Sequence, residues 1–127
     1  MYEYKAKIIN VVDGDTFDLD IDVGFHITLR ERVRLLSVDT PETRGAAEEK
    51  RLGLIVKEFA QRYLGDEVRI KSYKGTDSFG RWLVEIIMPK YCDRNLVDIY
   101  NELGFNKLDK NYSEEGILDY GKHYGYL

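Results

Sequence analysis

The sequence has little cysteine, histidine or proline: one cysteine, two histidines and two prolines in 127 residues. A single cysteine cannot form an internal disulfide, so nothing in the chain requires an oxidising compartment. The chain also has no Cys/His cluster with the spacing of a zinc site, which argues against a soft-metal centre. We interpret Cys92 as a small buried residue near a turn, because no histidine lies near it in sequence to activate it as a nucleophile.

Long apolar runs and an excess of positive charge are missing too. No run is long enough to span a bilayer, and residues 1–5 lack the apolar region of a signal peptide. We therefore expect no membrane association, and a cytoplasmic protein as the chain stands or a secreted one if a signal was removed. The formal net charge of −4 argues against a broad basic surface for nucleic acid, but it leaves room for a local basic pocket.

The composition that is present is typical of a folded domain. Hydrophobic residues make up 43% of the chain and charged residues 33%, which indicates a globular rather than a disordered protein. The length is sufficient for a core without disulfides or a structural metal. We find no internal repeat or linker, so we expect one domain over residues 1–127 that acts as a monomer.

Alternating apolar residues predict three strands in the first third of the chain. The first covers residues 4–12 and the second residues 17–23, whose other face is acidic and solvated. The turn between them is Asp13-Gly14-Asp15, in which Gly14 is able to adopt a positive φ. A hairpin at Gly24 leads into a return strand that continues to Val38 and begins with apolar residues that alternate with polar ones: Phe25, Ile27 and Leu29.

Helical spacing follows from about residue 48 to residue 64, with Gly65 as the stop and Gly53 as a slight weakness. Two more strands are predicted over residues 68–72 and 82–86, separated by a loop over residues 74–80. Asn95 caps a second helix that Gly104 ends, and Ser113 starts a third. This order predicts a mainly β, α+β fold: a five-stranded OB-like barrel with about three packed helices. A split, open α+β sheet is the alternative.

Two acids are predicted to converge at one end of this barrel. Asp15 begins the second strand, and Asp39 and Thr40 follow the end of the third, so neighbouring antiparallel strands bring them together. Two carboxylates and a backbone carbonyl, completed by water, suit a hard cation such as Ca²⁺. Other interpretations stay open, because Asp13 and Asp15 are also ordinary turn residues and Asp39 is also an ordinary cap.

Three further charged residues suit phosphodiester chemistry. Glu42 follows the rigid Pro41, and a carboxylate beside a bound cation orients or deprotonates a water molecule. Arg34 and Arg81 provide two guanidinium groups that donate paired hydrogen bonds to phosphate oxygens. Taken singly, Glu42 is also an acid near a helix N-terminus, and each arginine is also an ordinary surface or ion-paired residue.

Three blocks occur in order along the chain: Asp13-Gly14-Asp15-Thr16, Arg34-Leu35-Leu36-x-Val38-Asp39-Thr40-Pro41-Glu42-Thr43 and Asp77-x-x-Gly80-Arg81. They resemble the signature blocks of the staphylococcal-nuclease (thermonuclease) family. The resemblance covers roughly the first two thirds of the chain, and its middle block is the specific one. The family fold that it implies is an OB-like five-stranded barrel with three helices, which agrees with the fold predicted from the strand and helix pattern.

The resemblance also implies a role for each matching residue. Asp15, Asp39 and the Thr40 carbonyl would be calcium ligands, and Asp13 would support the calcium loop. Glu42 would act on the attacking water. Arg34 and Arg81 would bind the scissile phosphate and its transition state. The implied reaction is calcium-dependent hydrolysis of DNA and RNA at the 5′ P–O bond, which leaves 3′-phosphate ends.

The sequence departs from the family in charge and at the rim of the site. Familiar secreted members are basic and carry Lys-Tyr before the Gly-Arg pair, where this chain has Ser78-Phe79. Phe79 is able to pack against a base or sugar but has no hydroxyl for a phosphate. Two other functions therefore stay open beside the nuclease. One is a non-catalytic module that binds nucleic acid or protein, and the other is a structural protein with a buried ion network.

Overall fold

The computed structural model describes residues 2–124, which form six strands and three α-helices. In chain order these are β1 (Tyr2–Asp13), β2 (Thr16–Asp22), β3 (Thr28–Leu35), α1 (Ala47–Leu64), β4 (Glu67–Thr76), β5 (Trp82–Met88), β6 (Arg94–Asn95), α2 (Leu96–Glu102) and α3 (Glu114–His123). A 3₁₀ turn (Pro89–Tyr91) precedes β6. Within residues 2–124 no helix is both long and apolar enough to cross a membrane.

The sheet is closed by one short parallel contact. Its strand order is β3-β2-β1-β4-β5-β6, and β3 also pairs with β5 in parallel, with Val33, Arg34 and Leu35 opposite Trp82, Leu83 and Val84. All other pairings are antiparallel. The five long strands therefore form a closed mixed barrel with three helices. This confirms the predicted OB-like fold and is inconsistent with the open sheet. The two-residue β6 was not predicted from the sequence.

The core fills this barrel because strand residues alternate between inside and outside. On β2, Phe17 and Leu19 are fully buried, whereas Asp18 and Asp20 point outward. α1 covers the barrel through buried residues at helical spacing, among them Phe59. The helix ends are as predicted: Asn95 and Ser113 accept N-cap hydrogen bonds, and Gly65 and Gly104 have positive φ angles.

The outer face of β2 is paired with arginines rather than simply solvated. Arg32 Nε and Nη2 donate to the two oxygens of Asp18 at 2.8 and 3.1 Å, and Arg30 binds Asp20 in the same way at 2.7 and 3.0 Å. Cross-strand register places each arginine opposite its aspartate. Both arginines are more than half exposed, so these pairs stabilise the sheet only weakly.

The predicted return strand was too long at both ends. Residues Gly24, Phe25 and His26 have φ values of +85°, +56° and +60°, and they form the turn, so β3 begins at Thr28. Phe25 is 94% exposed, and Ile27 and Leu29 are about half exposed. These apolar residues lie outside the core, because the barrel closes only where β3 meets β5 and the hairpin precedes that contact.

The interpretation of Cys92 as a buried residue was also wrong. Cys92 is exposed, and both it and Asp93 adopt left-handed backbone conformations with φ of +56° and +57°. This tight reversal joins the 3₁₀ turn to β6, and it turns the Cys92 side chain towards solvent.

Candidate functional site

Strand register brings the Asp13-Gly14-Asp15 turn beside the end of β3. Thr16 lies opposite Arg34, and the Leu35 N–H donates to the Asp15 carbonyl at 2.9 Å. Ser37 then takes a φ of +63° and ends the strand, and Val38 bridges to Asn106. Asp39 therefore follows a sharp turn at the same end of the barrel as Asp15.

Arg34 joins the two predicted calcium ligands. Its Nη2 atom lies 3.3 Å from Asp15 Oδ2 and 3.0 Å from Asp39 Oδ1, and it also donates to the Val38 carbonyl at 3.3 Å. The Arg34 side chain is 17% exposed and the Asp15 side chain 8% exposed. Arg34 and the two acids are thus charged groups that are largely removed from water. Proteins tolerate such buried charges when they are paired, as these are.

The surroundings of Asp15 and Asp39 shift the pKa values of the two carboxyls in opposite directions. Burial raises the pKa of the Asp15 carboxyl above its ordinary value, and the charge of Arg34 offsets only part of that rise. Burial acts on Asp39 in the same direction, but the hydrogen bond and charge of Lys110, together with Arg34, outweigh it and lower the pKa of Asp39. Asp39 is thus the acid that the surrounding cations most firmly hold ionised.

Thr40 supports Asp15 from the backbone. Its N–H donates to Asp15 Oδ2 at 3.1 Å, and the Thr16 hydroxyl donates to Asp15 Oδ1 at 3.0 Å. The Thr40 hydroxyl oxygen is buried and has no hydrogen-bond partner among the described residues. A buried oxygen without a partner is costly, so this hydroxyl has the capacity to accept a further hydrogen bond or ligand contact.

Gly14 is required for close packing and not, as predicted, for its φ, which is not positive. A Cβ atom there would lie 2.5 Å from Val56 Cγ1 and 3.0 Å from Thr40 Oγ1. The Gly14 carbonyl accepts a 2.6 Å hydrogen bond from the buried hydroxyl of Tyr100 in α2. The turn is therefore pressed between two helices and the Thr40 segment, which fixes Asp15.

Asp13 and Glu42 line one cleft next to this turn. The Thr43 hydroxyl donates to Asp13 Oδ1 at 2.6 Å, so Asp13 tethers the residue that follows Glu42. Glu42 is exposed and takes part in none of the ion pairs among residues 2–124. Its side chain lines a cleft of about 440 Å³ together with cationic side chains that include Arg32 and Lys57. An exposed, unpaired carboxylate is accessible to water.

Gly53 of α1 sets the position of Glu42. A Cβ atom on Gly53 would lie 2.5 Å from the Glu42 carbonyl carbon and 2.8 Å from the Pro41 carbonyl oxygen. The helix and the Pro41-Glu42 backbone are therefore in direct contact at this residue. A glycine weakens the helix, but its missing side chain is what allows the Pro41-Glu42 backbone to pack this close to α1.

Changing Gly53 to alanine is expected to lower the free energy of unfolding by about 1–3 kcal/mol, because the clash is with backbone that no rotamer change relieves. The gain in helix propensity from alanine, about 1 kcal/mol, would only partly offset it. Urea denaturation measures the change. Gly75→Ala is the control, since a Cβ there meets nothing within 4 Å, and equal stability of the two variants would contradict the contact.

Arg81 is held by a tight loop built around Asp77. Asp77 Oδ1 accepts from the N–H groups of Phe79 and Arg81 at 2.9 and 3.0 Å, and Asp77 Oδ2 accepts from Arg81 Nε at 2.6 Å. Burial raises the pKa of Asp77, but these bonds outweigh it and lower that pKa. Gly80, at φ +78°, completes the turn. Phe79 is 82% exposed and lies 5.3 Å from the Arg81 guanidinium.

The parallel contact between β3 and β5 brings the two arginines close along neighbouring strands. Arg34 lies opposite Leu83 and Val33 opposite Trp82, and Arg81 directly precedes Trp82, the first residue of β5. The Arg81 side chain hydrogen bonds only through Nε among the described residues, which leaves its paired Nη1 and Nη2 donors free. Arg34 Nη2 is shared among three acceptors, so only its Nε and Nη1 atoms have no partner among those residues.

The candidate metal donors at this site are all oxygen atoms. Residues 2–124 contain no group of three or more His, Cys, Asp and Glu side chains that could hold a metal. A cation here would therefore depend on Asp15, Asp39, backbone carbonyl oxygen and water. Such an all-oxygen set is what Ca²⁺ accepts and soft metals do not.

A family model described as staphylococcal nuclease homologue matches residues 32–114, which are well over half of the chain. The chain belongs to the staphylococcal nuclease homologue family. Protein ParB from Escherichia coli is 35% identical over 82 residues, which are 64% of this chain and 40% of that protein. The chain thus matches less than half of the length of this relative.

The staphylococcal nuclease match contains Arg34, Asp39, Glu42 and Arg81, whereas Asp15 lies before it. The structure brings Asp15, Arg34 and Asp39 into contact, and it leaves Glu42 exposed in a cleft that it lines with Asp13. The roles assigned to these residues, and to Thr40, Asp13 and Phe79, remain predictions.

Two residues at the site were missed by sequence reasoning. Lys110 Nζ lies 2.6 Å from Asp39 Oδ2, and Tyr100 supports the Gly14 carbonyl. Both come from the part of the chain after β5, where a lysine in a loop or an aromatic residue in a helix gives no local signal of a site. Only the fold brings them to this end of the barrel.

Proposed function

We propose that this family member is a calcium-dependent nuclease that hydrolyses phosphodiester bonds of DNA, RNA or both and leaves 3′-phosphate ends. One observation carries the proposal. A single guanidinium contacts two acids at the barrel end, in a chain whose family is that of staphylococcal nuclease. The exposed Glu42 and the second arginine, Arg81, would supply the remaining groups that such a reaction needs.

Asp15, Asp39 and the Thr40 carbonyl would hold Ca²⁺. When bound, the cation would supply positive charge against a phosphate oxygen and the attacking water. The protein contributes the position of these ligands, since Asp15 is fixed by hydrogen bonds from Thr16 and Thr40, and Asp39 follows a backbone pinned to Phe105. Such fixed ligands need no rearrangement during the reaction.

Glu42 would orient the attacking water and accept its proton. Its carboxylate is exposed and unpaired, so a water molecule reaches it without displacing a protein group. Its backbone cannot move towards α1, because Gly53 already contacts it. A base held in place in this way serves proton transfer better than one on a mobile loop.

Arg34 and Arg81 would bind the scissile phosphate. Asp77 occupies Arg81 Nε and leaves its Nη1 and Nη2 atoms, two parallel donors that match two phosphate oxygens. Arg34 would donate to the phosphate through its Nη1 or Nε atom, since its Nη2 atom is held by Asp15, Asp39 and the Val38 carbonyl. As the attacking water adds, negative charge on the phosphate oxygens increases, so the arginines would bind the transition state more strongly than the ground state.

The second candidate is a module that binds nucleic acid or protein without cleaving it. The observation that favours it is the pairing of Asp39 with both Arg34 and Lys110, which already neutralises the carboxylate. In that case the charges would stabilise the loop, and the fold would supply only a binding surface.

The test is incubation of the wild-type protein with single-stranded DNA, duplex DNA and RNA, first with Ca²⁺ and then with excess chelator. The nuclease proposal expects cleavage only with Ca²⁺, with products that carry 3′-phosphates. Salt-dependent binding without cleavage in any divalent cation would overturn it in favour of the binding module.

A further inference from the structure

Asp39 is paired on both of its oxygens. Arg34 Nη2 lies 3.0 Å from Oδ1, and Lys110 Nζ lies 2.6 Å from Oδ2. The two cations differ in exposure, since the Arg34 side chain is 17% exposed and the Lys110 side chain 46% exposed. Lys110 is therefore the partner of Asp39 that is free to leave towards solvent.

The position of Lys110 is built into the backbone. The loop between α2 and α3 is joined to the segment after β3 by hydrogen bonds from Asp39 N–H to the Phe105 carbonyl at 2.9 Å and from Lys107 N–H to the Ser37 carbonyl at 3.0 Å. The loop closes on itself through Asn111 N–H and the Gly104 carbonyl, also at 2.9 Å. The ion pair is thus a consequence of where the fold places residue 110.

Lys110 also completes the charge balance of the site. The two acids Asp15 and Asp39 are faced by two cations, Arg34 and Lys110. An added divalent cation would give the cluster an excess of positive charge. Repulsion would act most strongly on the exposed ammonium, because the Arg34 guanidinium is also held by Asp15 and the Val38 carbonyl.

We propose that Lys110 is a resident counter-cation of the metal site, which Ca²⁺ displaces from Asp39 and which then binds a phosphate of the nucleic acid. This inference rests on the proposed function. A lysine has three donors on a flexible stem, so it is able to exchange a carboxylate oxygen for a nearby phosphate oxygen without backbone movement. Lys110 would thereby couple the two ligands: each would bind more tightly in the presence of the other.

The first measurement is calcium binding by isothermal titration calorimetry, without nucleic acid. Lys110→Ala is expected to bind Ca²⁺ about 3–10-fold more tightly than wild type, because an exposed ion pair competes only modestly. Lys110→Arg keeps the cation and should bind as wild type does. Lys107→Ala is the matched control, since Lys107 lies in the same loop, is exposed and takes part in none of the ion pairs among residues 2–124.

The second measurement repeats the titration with a short single-stranded DNA, in a Glu42→Gln background that slows cleavage, and gel analysis afterwards confirms that the DNA is still intact. DNA should tighten calcium binding when Lys110 is present, and this tightening should shrink about 3–10-fold in the Lys110→Ala protein. A purely structural role of Lys110 would not change this coupling.

The outcomes separate the inference from the proposed function. If the wild-type protein binds no Ca²⁺, the proposed function fails. If wild type binds Ca²⁺ but Lys110→Ala binds it equally or more weakly, the counter-cation inference is overturned while the nuclease proposal stands. If Lys110→Ala binds Ca²⁺ more tightly but DNA still tightens its calcium binding as much as in the protein with Lys110, the proposed contact between Lys110 and a phosphate is overturned.

Discussion

Glu42→Gln is expected to slow phosphodiester cleavage by about 10²-fold or more, because glutamine has nearly the same shape but cannot accept a proton from water. The folded structure should be unaffected. Glu42 is exposed and unpaired among the described residues, so its substitution should change the free energy of unfolding by no more than about 0.5 kcal/mol. A loss of rate without a loss of stability would assign Glu42 to the chemistry.

Single-turnover cleavage of a labelled oligonucleotide in saturating Ca²⁺ measures this effect directly. Glu48→Gln is the matched control, because Glu48 is an exposed acid in the first turn of α1. The control should cleave at the wild-type rate. Equal rates for Glu42→Gln and wild type would contradict the role of Glu42, and they would also be the result expected from a contaminating nuclease.

Arg81→Met is expected to lower the rate of the chemical step by about 10²–10³-fold, the loss typical of removing one preorganised donor to developing negative charge. Methionine keeps the unbranched apolar stem of the side chain and removes both the charge and the guanidinium donors. Arg81→Lys should recover only part of the loss, because an ammonium is a point charge that cannot donate two parallel hydrogen bonds to one phosphate. Partial recovery would show that both the positive charge and the geometry of the guanidinium donors contribute.

The division between kcat and KM decides how Arg81 acts. If the arginine binds the transition state more tightly than the substrate, kcat falls more than KM rises. Arg62→Met is the control, since Arg62 is exposed in α1 and pairs only with Glu58 among the described residues. A rise in KM with unchanged kcat would reduce Arg81 to a substrate-binding residue, and full activity of Arg81→Met would exclude any part in the reaction.

The fold was predictable from the sequence because its strands are half-buried. On β2, from Phe17 to Asp22, each inward residue is apolar and each outward residue is acidic. The alternation therefore identifies the strand and shows which of its residues face the core. The caps at Asn95 and Ser113 were predictable for the same reason, since they depend on neighbouring backbone alone.

Local pattern failed where tertiary contacts decide. The apolar residue Phe25 alternates with polar neighbours but lies beyond the point where the barrel closes. Gly14 suggested a turn with positive φ, but a glycine is required there because a side chain would clash with Val56 and Thr40. The same holds for Cys92, whose exposure follows from a left-handed reversal that its sequence neighbours do not indicate.

The site was predictable in part for a similar reason. Asp15 directly precedes β2 and Asp39 follows β3, and because these strands are neighbours the hairpin alone implied that the two acids converge. Gly53, Tyr100 and Lys110 act on the site from helices and a loop, at contacts that exist only after folding. The sequence therefore indicated the acids and Arg34, but not the contribution of these three residues.

Isothermal titration of the wild-type and Asp15→Asn proteins with Ca²⁺ decides whether Asp15 and Asp39 form a calcium site. Asparagine keeps one of the two oxygens that accept from Thr16 and Thr40 and removes the charge that calcium requires. We predict one bound Ca²⁺ per chain in the wild-type protein and binding weaker by about 10-fold or more in Asp15→Asn, the loss of at least about 1.4 kcal/mol. No calcium binding by the wild-type protein, or equal binding by both proteins, would show that Asp15 and Asp39 do not hold Ca²⁺.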